Sequence, residues 1–594
     1  MKIYSFLRIM LKKLYSCGIV ALTALFSFVP FIQFTPVIKS LEPDTIPPTV
    51  KKTLFENKEN KRAHLFSHHN VLVIVPHPDD DINLMGGILD SYIDAGSTVR
   101  VVFVTNGDYY GTEHGSVRFH EAMDALEMSG VSEENIIFLG YGDQWKNVHI
   151  YNAAPDEILV SNAGNTKTSG IPSHPAYSEK ADYTRNNLKN DLRSVIEQYK
   201  PDTLFCVDMD GHKDHRAVSL FFDEVIGEIL HDTNSYKPVI YKGFAYETSW
   251  YAPTDFYSEN ILSTVNPDPT PYLANNSCFE WSSRVRFPIS SKSLSRFSFD
   301  TLIHRMLAMH ISQNALRKES AILSGDRIFF ERYTSSLLYR ANFETSSNSN
   351  ISQYLNDFKY LDSDNVCDRY CIISNNVWSP ASYDMQKNIH ITLPEDRPVS
   401  EIRLYDNPDL DSNILDCSVT LSNGICLHSG KLNENGSPSI LHFDSDVPVH
   451  TIDIKILSAE GECPGFCEIE AYERNPKPTD TRIIKLTDNG DNFVYDYWMQ
   501  KSDKAEFYVY SYPSALAPDD LAFEVEKSSS SLCSACLENE TLSVHCPKGC
   551  SMHVRVYSKT DPELYDSIKI SNPSAGRRAL ISEMQLEEYY QYAG

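Results

Sequence analysis

Basic residues are scarce in this sequence of 594 residues. Lys and Arg together number 53, whereas Asp and Glu number 80, so the formal net charge is −27. Nucleic-acid binding requires a basic surface that contacts phosphates, and this composition argues against such a partner. The first predicted strand is not followed by a Gly-x-Gly-x-x-Gly pattern, so a dinucleotide cofactor would lack its phosphate-binding turn. The hydrophobic content of 42% excludes wholesale disorder.

Residues 1–40 have the pattern of a targeting segment. Four basic residues precede an uncharged, largely apolar run over residues 14–38. Such a run is typical of a signal peptide or of a membrane anchor. We therefore expect export to a periplasmic, cell-surface or secreted location, with residues 14–38 as a candidate membrane tether. Residues 41–67, rich in Pro, Lys and Asn, are expected to be a linker.

A first cluster of polar residues follows a buried-strand pattern. Residues 71–75 read Val-Leu-Val-Ile-Val, and they are followed by His77-Pro78-Asp79-Asp80-Asp81. The carboxyl end of a strand is where open α/β sheets bind ligands. One imidazole and adjacent carboxylates could bind a divalent metal and leave one carboxylate to accept a proton from water. The alternative is a solvated acidic turn that caps the next helix at Asp81 or Asn83.

A second cluster follows another apolar strand. Residues 203–207 predict a buried strand, and residues 208–215 read Asp-Met-Asp-Gly-His-Lys-Asp-His. An amphipathic helix is predicted from about residue 216 to residue 230. His212 and His215, three positions apart at this turn, could supply a third metal ligand and a separate imidazole.

The two clusters together resemble the PIG-L/LmbE-like family of zinc-dependent de-N-acetylases, which includes N-acetylglucosaminyl-phosphatidylinositol de-N-acetylase. The resemblance covers roughly residues 68–340 and rests on His-Pro-Asp-Asp and Gly-His-x-Asp-His in that order. It implies that His77, Asp80 and His215 are zinc ligands and that Asp79 is the general base. It also implies that His212 stabilises the oxyanion or protonates the leaving amine.

The family resemblance extends to positions around this set. Arg118 and Asp143 match residues that bind sugar hydroxyls in relatives, although a surface ion pair and a turn residue are the plainer alternatives. Asp214 is expected either to orient an imidazole or to cap the following helix. Asp81 stands where the family usually has Glu, so the acid is kept and one methylene is lost. That position is not a ligand in the family.

Other residues near the two clusters are harder to assign. Tyr109 and Tyr110 lie in a loop after a predicted strand and are candidates for stacking on a sugar ring. Residues 144–184 show little periodicity and are expected to form a long loop or an insertion beside the site. The isolated histidines are expected to be surface or core residues without a role in the site; these are His114, His120, His149 and His174.

Periodicity predicts the fold. Strands alternate with helices over residues 68–342, which indicates an α/β domain with a mostly parallel, Rossmann-like sheet. The predicted helices include residues 84–93, 113–129, 185–200 and 301–311. A linker is expected at residues 343–352. Beyond it, short alternating strands predict one β-sandwich over residues 353–475 and a second, of unknown role, over residues 478–594.

The first predicted sandwich carries a weaker resemblance. Residues 465–472, Gly-Phe-Cys-Glu-Ile-Glu-Ala-Tyr, resemble the last strand of discoidin-like, galactose-binding modules. Such modules bind glycans in some proteins and act as spacers in others. A glycan is therefore a candidate partner of this module.

Cysteine is concentrated in the C-terminal part of the chain. Ten of the thirteen cysteines lie in residues 367–550. In an exported protein such close pairs suit disulfides. The pairs are Cys367/Cys371, Cys463/Cys467, Cys533/Cys536 and Cys546/Cys550. A zinc knuckle formed by the last four is the alternative.

The sequence thus predicts a zinc-dependent hydrolase that removes N-acetyl groups from N-acetylglucosamine-type sugars in a glycolipid or polysaccharide. One alternative is an amidase that acts on another amino-sugar conjugate. Another is a catalytically silent glycan-binding protein. The presence of Asp79 argues against the silent protein, because glycan binding alone does not require a general base.

Overall fold

The computed structural model describes residues 65–66, 70–246, 260–264, 281–294, 301–318, 323–368, 376–434, 436–476 and 480–576. The chain divides into the units Met1–Arg62 and Ala63–Gly594, and every described residue belongs to the second. The predicted targeting segment lies outside the described residues. Within them, no helix has the length and apolar character needed to cross a bilayer.

The first part of the described chain is an α/β domain built on a seven-stranded sheet, with strand order β3-β2-β1-β4-β5-β7-β6. The strands are β1 (Asn70–Val75), β2 (Thr98–Thr105), β3 (Ile136–Tyr141), β4 (Thr203–Val207), β5 (Val239–Gly243), β6 (Val285–Pro288) and β7 (Asp326–Arg332). The first five strands pair in parallel, and β7 runs antiparallel to both of its neighbours, β5 and β6. The predicted mostly parallel sheet is confirmed. The strand order reverses at β1, so a crevice for ligands opens at the carboxyl ends of β1 and β4.

Among the described residues, six α-helices accompany this sheet: α1 (Asp80–Met85), α2 (Leu89–Asp94), α3 (Thr112–Ser129), α4 (Arg185–Tyr199), α5 (Lys213–Asp232) and α6 (Leu302–Met309). The single helix expected over residues 84–93 is two helices, α1 and α2, that break at Gly86 and Gly87. Gly87 has a φ of +83°, and a Cβ at this position would lie 2.7 Å from the Ile289 side chain. Close packing against Ile289 therefore overrides the helical periodicity.

Residues 144–184 have little regular structure, as their lack of periodicity predicts. The segment contains one 3-10 turn (Ile150–Asn152) and isolated bridges. It runs along β3, the outer strand of the sheet. The Tyr177 N–H donates to the Phe138 carbonyl at 2.7 Å, and the Ser169 N–H donates to the Gly140 carbonyl at 3.1 Å. The segment therefore covers the edge of the sheet.

The middle part of the chain is a β-sandwich. Its strands are β8 (Asn342–Thr345), β9 (Asn388–Arg397), β10 (Glu401–Asp406), β11 (Asn413–Leu421), β12 (Cys426–His428), β13 (Ser439–His442), β14 (Val449–Glu460) and β15 (Phe466–Tyr472). They form the sheets β13-β10-β15 and β12-β11-β14-β9-β8, which enclose an apolar core around Trp378. β8 lies in the segment expected to be a linker. As an edge strand it pairs on one side only, with β9, so its polar sequence is compatible with a strand.

The last part of the chain is a second sandwich with a separate core. Its strands are β16 (Ile483–Thr487), β17 (Asp496–Trp498), β18 (Lys504–Tyr512), β19 (Leu521–Ser528), β20 (Ser534–Glu538), β21 (Thr541–His545), β22 (Ser551–Ser558) and β23 (Tyr565–Ser571). They form the sheets β16-β18-β21-β20 and β17-β23-β22-β19. The two sandwiches agree with the prediction from periodicity, whereas the boundaries between domains remain predictions.

Of the expected cysteine pairs, the three whose members are both among the described residues are not formed in this structure. Each of the ten described cysteines is a free thiol. Cys463 is exposed, whereas the Cys467 thiol is buried against the Asp406 carbonyl at 3.2 Å. Cys371, the expected partner of Cys367, lies outside the described residues.

Candidate active site

The first polar cluster lies directly after β1. Residues 71–75 of this strand are completely buried, and the chain turns sharply at His77, whose carbonyl accepts the N–H groups of Asp79 and Asp80. Helix α1 then begins at Asp80. The turn buries His77, Asp79 and Asp80 in the crevice, so the alternative of a solvated acidic turn does not describe this segment.

The second cluster is built at the start of α5. His212 is the N-cap residue of this helix, and its Nδ1 accepts the N–H of Asp214 at 3.3 Å. Asp210 accepts the His212 N–H at 2.9 Å through one oxygen, and its other oxygen lies 2.7 Å from Nδ1 of His215. The loop between β4 and α5 thus fixes both imidazoles. The helix starts three residues earlier than predicted, because the histidine turn caps it.

Asp80 joins the two clusters. Its Oδ2 lies 2.9 Å from Nδ1 of His77 and 3.1 Å from Nε2 of His215. Burial opposes ionisation of Asp80, but His215 and His77 hold its pKa well below the usual range. Burial also lowers the pKa of His215, yet Asp210 and Asp80 raise that pKa to about 10.

This convergence fits a divalent cation. Tetrahedral ligands at about 2.1 Å from a metal are about 3.4 Å from one another, close to the distances around Asp80. His215 is completely buried, and its Nε2 faces Asp80 at 3.1 Å rather than solvent, as expected of an atom positioned for a metal. His212 is also near, because nitrogens of His77, His212 and His215 lie within 4.8 Å of one another.

Arg118 connects the predicted base to the predicted sugar-binding residues. Its Nη2 donates to Asp79 at 3.1 Å, and its Nη1 donates to Asp143 at 3.5 Å. The other oxygen of Asp143 lies 3.6 Å from Nε2 of His77. Arg118 and Asp143 are both buried, so they belong to the cluster rather than to a surface ion pair or a solvated turn.

The two acids expected to support the ligands occupy different surroundings. Asp214 lies 2.8 Å from Nε2 of His149 through one oxygen and 3.5 Å from Nε2 of His77 through the other. It therefore contacts imidazoles, as one of its two predicted roles requires. Asp81 is completely buried, and its pKa is raised well above the usual range by burial and by its neighbours Asp79 and Asp80.

Three residues of the site were not predicted. His149, which the sequence suggested has no role, is buried and bonds Asp214; its Nδ1 accepts the Tyr151 N–H at 3.3 Å. Asp210 fixes His215 and could have been suspected, since it lies within the second cluster. The Tyr246 ring lies 4.6 Å from the His215 ring. No local pattern marks His149 or Tyr246.

The remaining candidates lie at the surface or rim. Tyr109 and Tyr110 are 37% and 78% exposed, and their rings pack edge to face at 4.8 Å. Their stacking on a sugar stays a prediction. His120 is exposed and contacts the Ser116 carbonyl, whereas His174 is partly buried and lies near Glu133, as expected of histidines outside the site.

Two family models match the chain. The model described as GlcNAc-PI de-N-acetylase, PIG-L, matches residues 72–226, which include both clusters. A model described as a domain of unknown function, DUF7402, matches residues 339–472. The second match does not confirm the predicted discoidin-like module. The curated proteins contain no significant match to the chain.

Several solved structures are similar to parts of the chain. N,N'-diacetylchitobiose deacetylase from Pyrococcus horikoshii is 18% identical, with 49% of this chain and 94% of that chain covered and a TM-score of 0.26. The teicoplanin deacetylase Orf2 is 15% identical, with coverages of 44% and 97% and a TM-score of 0.26. CpGH89CBM32-6 of Clostridium perfringens is 13% identical, with coverages of 23% and 94% and a TM-score of 0.16.

Proposed function

We propose that the chain is a zinc-dependent hydrolase that removes the acetyl group from an N-acetylglucosamine-type sugar, because residues 72–226 match the PIG-L model. The observation that carries this proposal is the convergence of His77, Asp80 and His215 at the ends of β1 and β4, with Asp79 beside them. A general base next to three potential metal ligands suits metal-assisted hydrolysis of an amide.

His77, Asp80 and His215 would hold the zinc ion. When bound, zinc would polarise the acetamide carbonyl and make water a stronger nucleophile. Asp210 fixes the ring of His215 through Nδ1, which leaves Nε2 available as the ligand atom.

Asp79 is assigned the proton transfer. It accepts a proton from the attacking water as the new C–O bond forms, and it returns this proton to the nitrogen as the C–N bond breaks. The products are acetate and the free amine of the sugar. Arg118 holds Asp79 at 3.1 Å, so the carboxylate keeps one orientation through both transfers.

His212 is assigned as a neutral hydrogen-bond donor. Because its Nδ1 accepts the Asp214 N–H, the proton of the neutral ring belongs on Nε2. Burial, followed by repulsion from His77, lowers the pKa of His212 to about 4, which favours the neutral ring. A neutral imidazole suits stabilisation of the tetrahedral oxyanion better than protonation of the amine. Between the two roles that the family implies, this geometry favours the first.

Arg118 and Asp143 are proposed to bind the hydroxyl groups of the sugar, since both face the same buried cluster. We also propose that the protein acts outside the cytoplasm, on the basis of the basic and apolar pattern of residues 1–40.

We further propose that the first sandwich binds a glycan.

The test uses the purified chain and measures two quantities in the same preparation. Metal content is determined by elemental analysis, and acetate release is measured with N-acetylglucosamine oligomers and glycolipids. One zinc per chain and acetate release that a chelator abolishes would support the proposal. Zinc without acetate from any amino sugar would favour the amidase that acts on another conjugate. Absence of both would favour a silent glycan-binding protein.

A further inference from the structure

The four cysteines of the last sandwich lie around the hairpin formed by β20 and β21. Cys533 directly precedes β20, Cys536 lies within it, Cys546 directly follows β21, and Cys550 directly precedes β22. The sequence alone suggested pairing by proximity along the chain or a shared zinc ion. The geometry of the hairpin excludes a disulfide between Cys536 and Cys533, and it excludes a zinc ion bound by both of them.

Side chains alternate between the two faces of a strand, so residues three apart point in opposite directions. In β20, Ala535 and Leu537 pack against the core together with Cys533. Cys536 is exposed on the other face. Cys533 and Cys536 therefore cannot form a disulfide without breaking the strand, and they cannot bind one metal ion together.

The register of the hairpin brings a different pair together. Ser534 lies opposite His545, and Ala535 lies opposite Val544. Continuing this register by one residue places Cys533 opposite Cys546. Both side chains belong to the core face, since Cys546 is buried and Cys533 packs against the same core. Directly opposed residues of an antiparallel pair have Cα atoms about 4.5–5.5 Å apart, which lies within the Cα separation that a disulfide spans.

We propose that Cys533 and Cys546 form a cross-strand disulfide when the protein meets a disulfide-containing oxidant. The electrostatics of the reduced pair agree with this contact. Burial and the neighbouring Cys533 thiol raise the pKa of Cys546 to about 12. Cys550 is the rival partner, but Cys546 donates its thiol to the carbonyl of Cys550 at 3.3 Å, so it faces the backbone of that residue.

The reaction is a thiol–disulfide exchange with a small disulfide such as oxidised glutathione. The more accessible Cys533 thiolate attacks one sulfur of the oxidant and releases a first glutathione thiolate. The Cys546 thiolate then attacks the Cys533 sulfur and releases the second. The protein loses two protons and two electrons, and one molecule of oxidised glutathione becomes two molecules of the thiol.

The test is peptide mapping of the full chain after native treatment with oxidised glutathione and alkylation of the remaining thiols. Trypsin cuts after Lys527, Lys548 and Arg555, and a Glu-specific protease cuts after Glu538 and Glu540. Residues 528–538, 541–548 and 549–555 are then separate peptides. A Cys536→Ser background leaves Cys533 as the only cysteine of the first peptide.

We expect the peptides 528–538 and 541–548 to be recovered linked, and the link to be lost in Cys533→Ser but kept in Cys550→Ser. A link between 541–548 and 549–555, or no link after excess oxidant, would overturn the proposal. Thermal unfolding gives an independent reading. Reductant should lower the melting temperature of the oxidised last sandwich by roughly 4 °C or more, and this response should disappear in Cys533→Ser.

Discussion

Asp80 and Glu468 are both completely buried carboxyl groups, but their surroundings shift their ionisation in opposite directions. Asp80 belongs to the strand-end cluster, which we define as His77, Asp79, Asp80, His212 and His215. There, two histidines outweigh burial and hold the pKa of Asp80 well below its usual range. Glu468 belongs to a second buried group, at the junction between the α/β domain and the first sandwich.

We define the junction cluster as Asp357, Glu468 and Glu470 with the tyrosines that contact Glu470. Burial and the neighbouring Asp357 raise the pKa of Glu468 well above its usual range. Glu470 accepts the hydroxyl groups of Tyr405 at 3.0 Å and Tyr360 at 3.2 Å. Helix α5 packs closely here, because a Cβ on Gly227 would lie 2.2 Å from the Asp357 carbonyl.

The comparison shows that burial alone does not identify a functional acid. Asp80 is in contact with nitrogens of His77 and His215, and nitrogens of His77, His212 and His215 lie within 4.8 Å of one another, which suits a cation. At the junction, burial and the neighbouring Asp357 outweigh the attraction of Arg332 and favour a protonated Glu468, whereas Glu470 is held by tyrosine hydroxyl groups. The predictions below test whether the two clusters differ in this way.

The largest effect is expected for Asp79→Asn. Loss of the general base should lower kcat by about 10²- to 10⁴-fold, because the amide cannot accept the proton of water. Metal content should stay at the wild-type level, since Asp79 is not one of the three proposed ligands. Acetate release and elemental analysis on the same sample check both points. Loss of metal in this variant would show that Asp79 is a ligand and not the base.

Asp210→Asn should weaken metal binding by about 10- to 100-fold, because the carboxylate orients the ring of His215 at 2.7 Å. Titration with a competing chelator measures this change. Asp208→Asn is the matched control, since Asp208 lies in the same loop but bonds Ser219. Equal weakening in both variants would mean that the loop, and not the contact with His215, sets the affinity.

His149→Gln should lower kcat by about tenfold with metal content unchanged, because Asp214 would lose the ring that it contacts at 2.8 Å. Steady-state kinetics should show the loss in kcat rather than in KM. The exposed His120 gives a control variant of the same kind, His120→Gln, which should behave as wild type. An unchanged kcat in His149→Gln would mean that His149 contributes to packing and not to catalysis.

The smallest effect is expected at the junction cluster and concerns stability alone. A carboxyl group whose pKa is higher in the folded than in the unfolded protein binds more protons when folded, so stability falls as pH rises between the two pKa values. Burial raises the pKa of Asp357 to about 7, and that of Glu468 is raised as well. Glu468→Gln should therefore resemble wild type near pH 5 and be more stable by roughly 1 kcal/mol near pH 8.

Thermal unfolding at both pH values measures this difference, with acetate release expected to stay at the wild-type level. A variant that is less stable than wild type at pH 8 would mean that the ionised Glu468 stabilises the junction. In that case Glu468 and Asp80 would both be carboxyl groups whose ionised form is stabilised by their surroundings, and the two clusters would not differ in this respect.

The sequence alone predicted those parts of the site that local patterns mark. The apolar run at residues 71–75 placed His77, Asp79 and Asp80 at a strand end, and the turn at residues 208–215 placed His212 and His215 at the end of another strand. Parallel strands bring their carboxyl ends to one edge, so the meeting of the two clusters followed from the fold class.

Residues whose position depends on packing between distant segments could not be predicted. His149 reaches Asp214 from a segment without periodicity, and no spacing rule connects them. The break between α1 and α2 depends on Ile289, about 200 positions away along the chain. Strand β8 has a polar sequence because it is an edge strand, so it was expected to be a linker.

The segment of residues 144–184 links loss of activity to self-association when the protein is mildly denatured. It supplies His149 to the site, and through Ser169 and Tyr177 it also satisfies carbonyl groups on the outer strand β3. If the segment detached under mild heat or denaturant, one local event would disturb the site and uncover a strand edge able to pair with another copy. Inactivation and self-association would then begin together, well before the sheet itself unfolds.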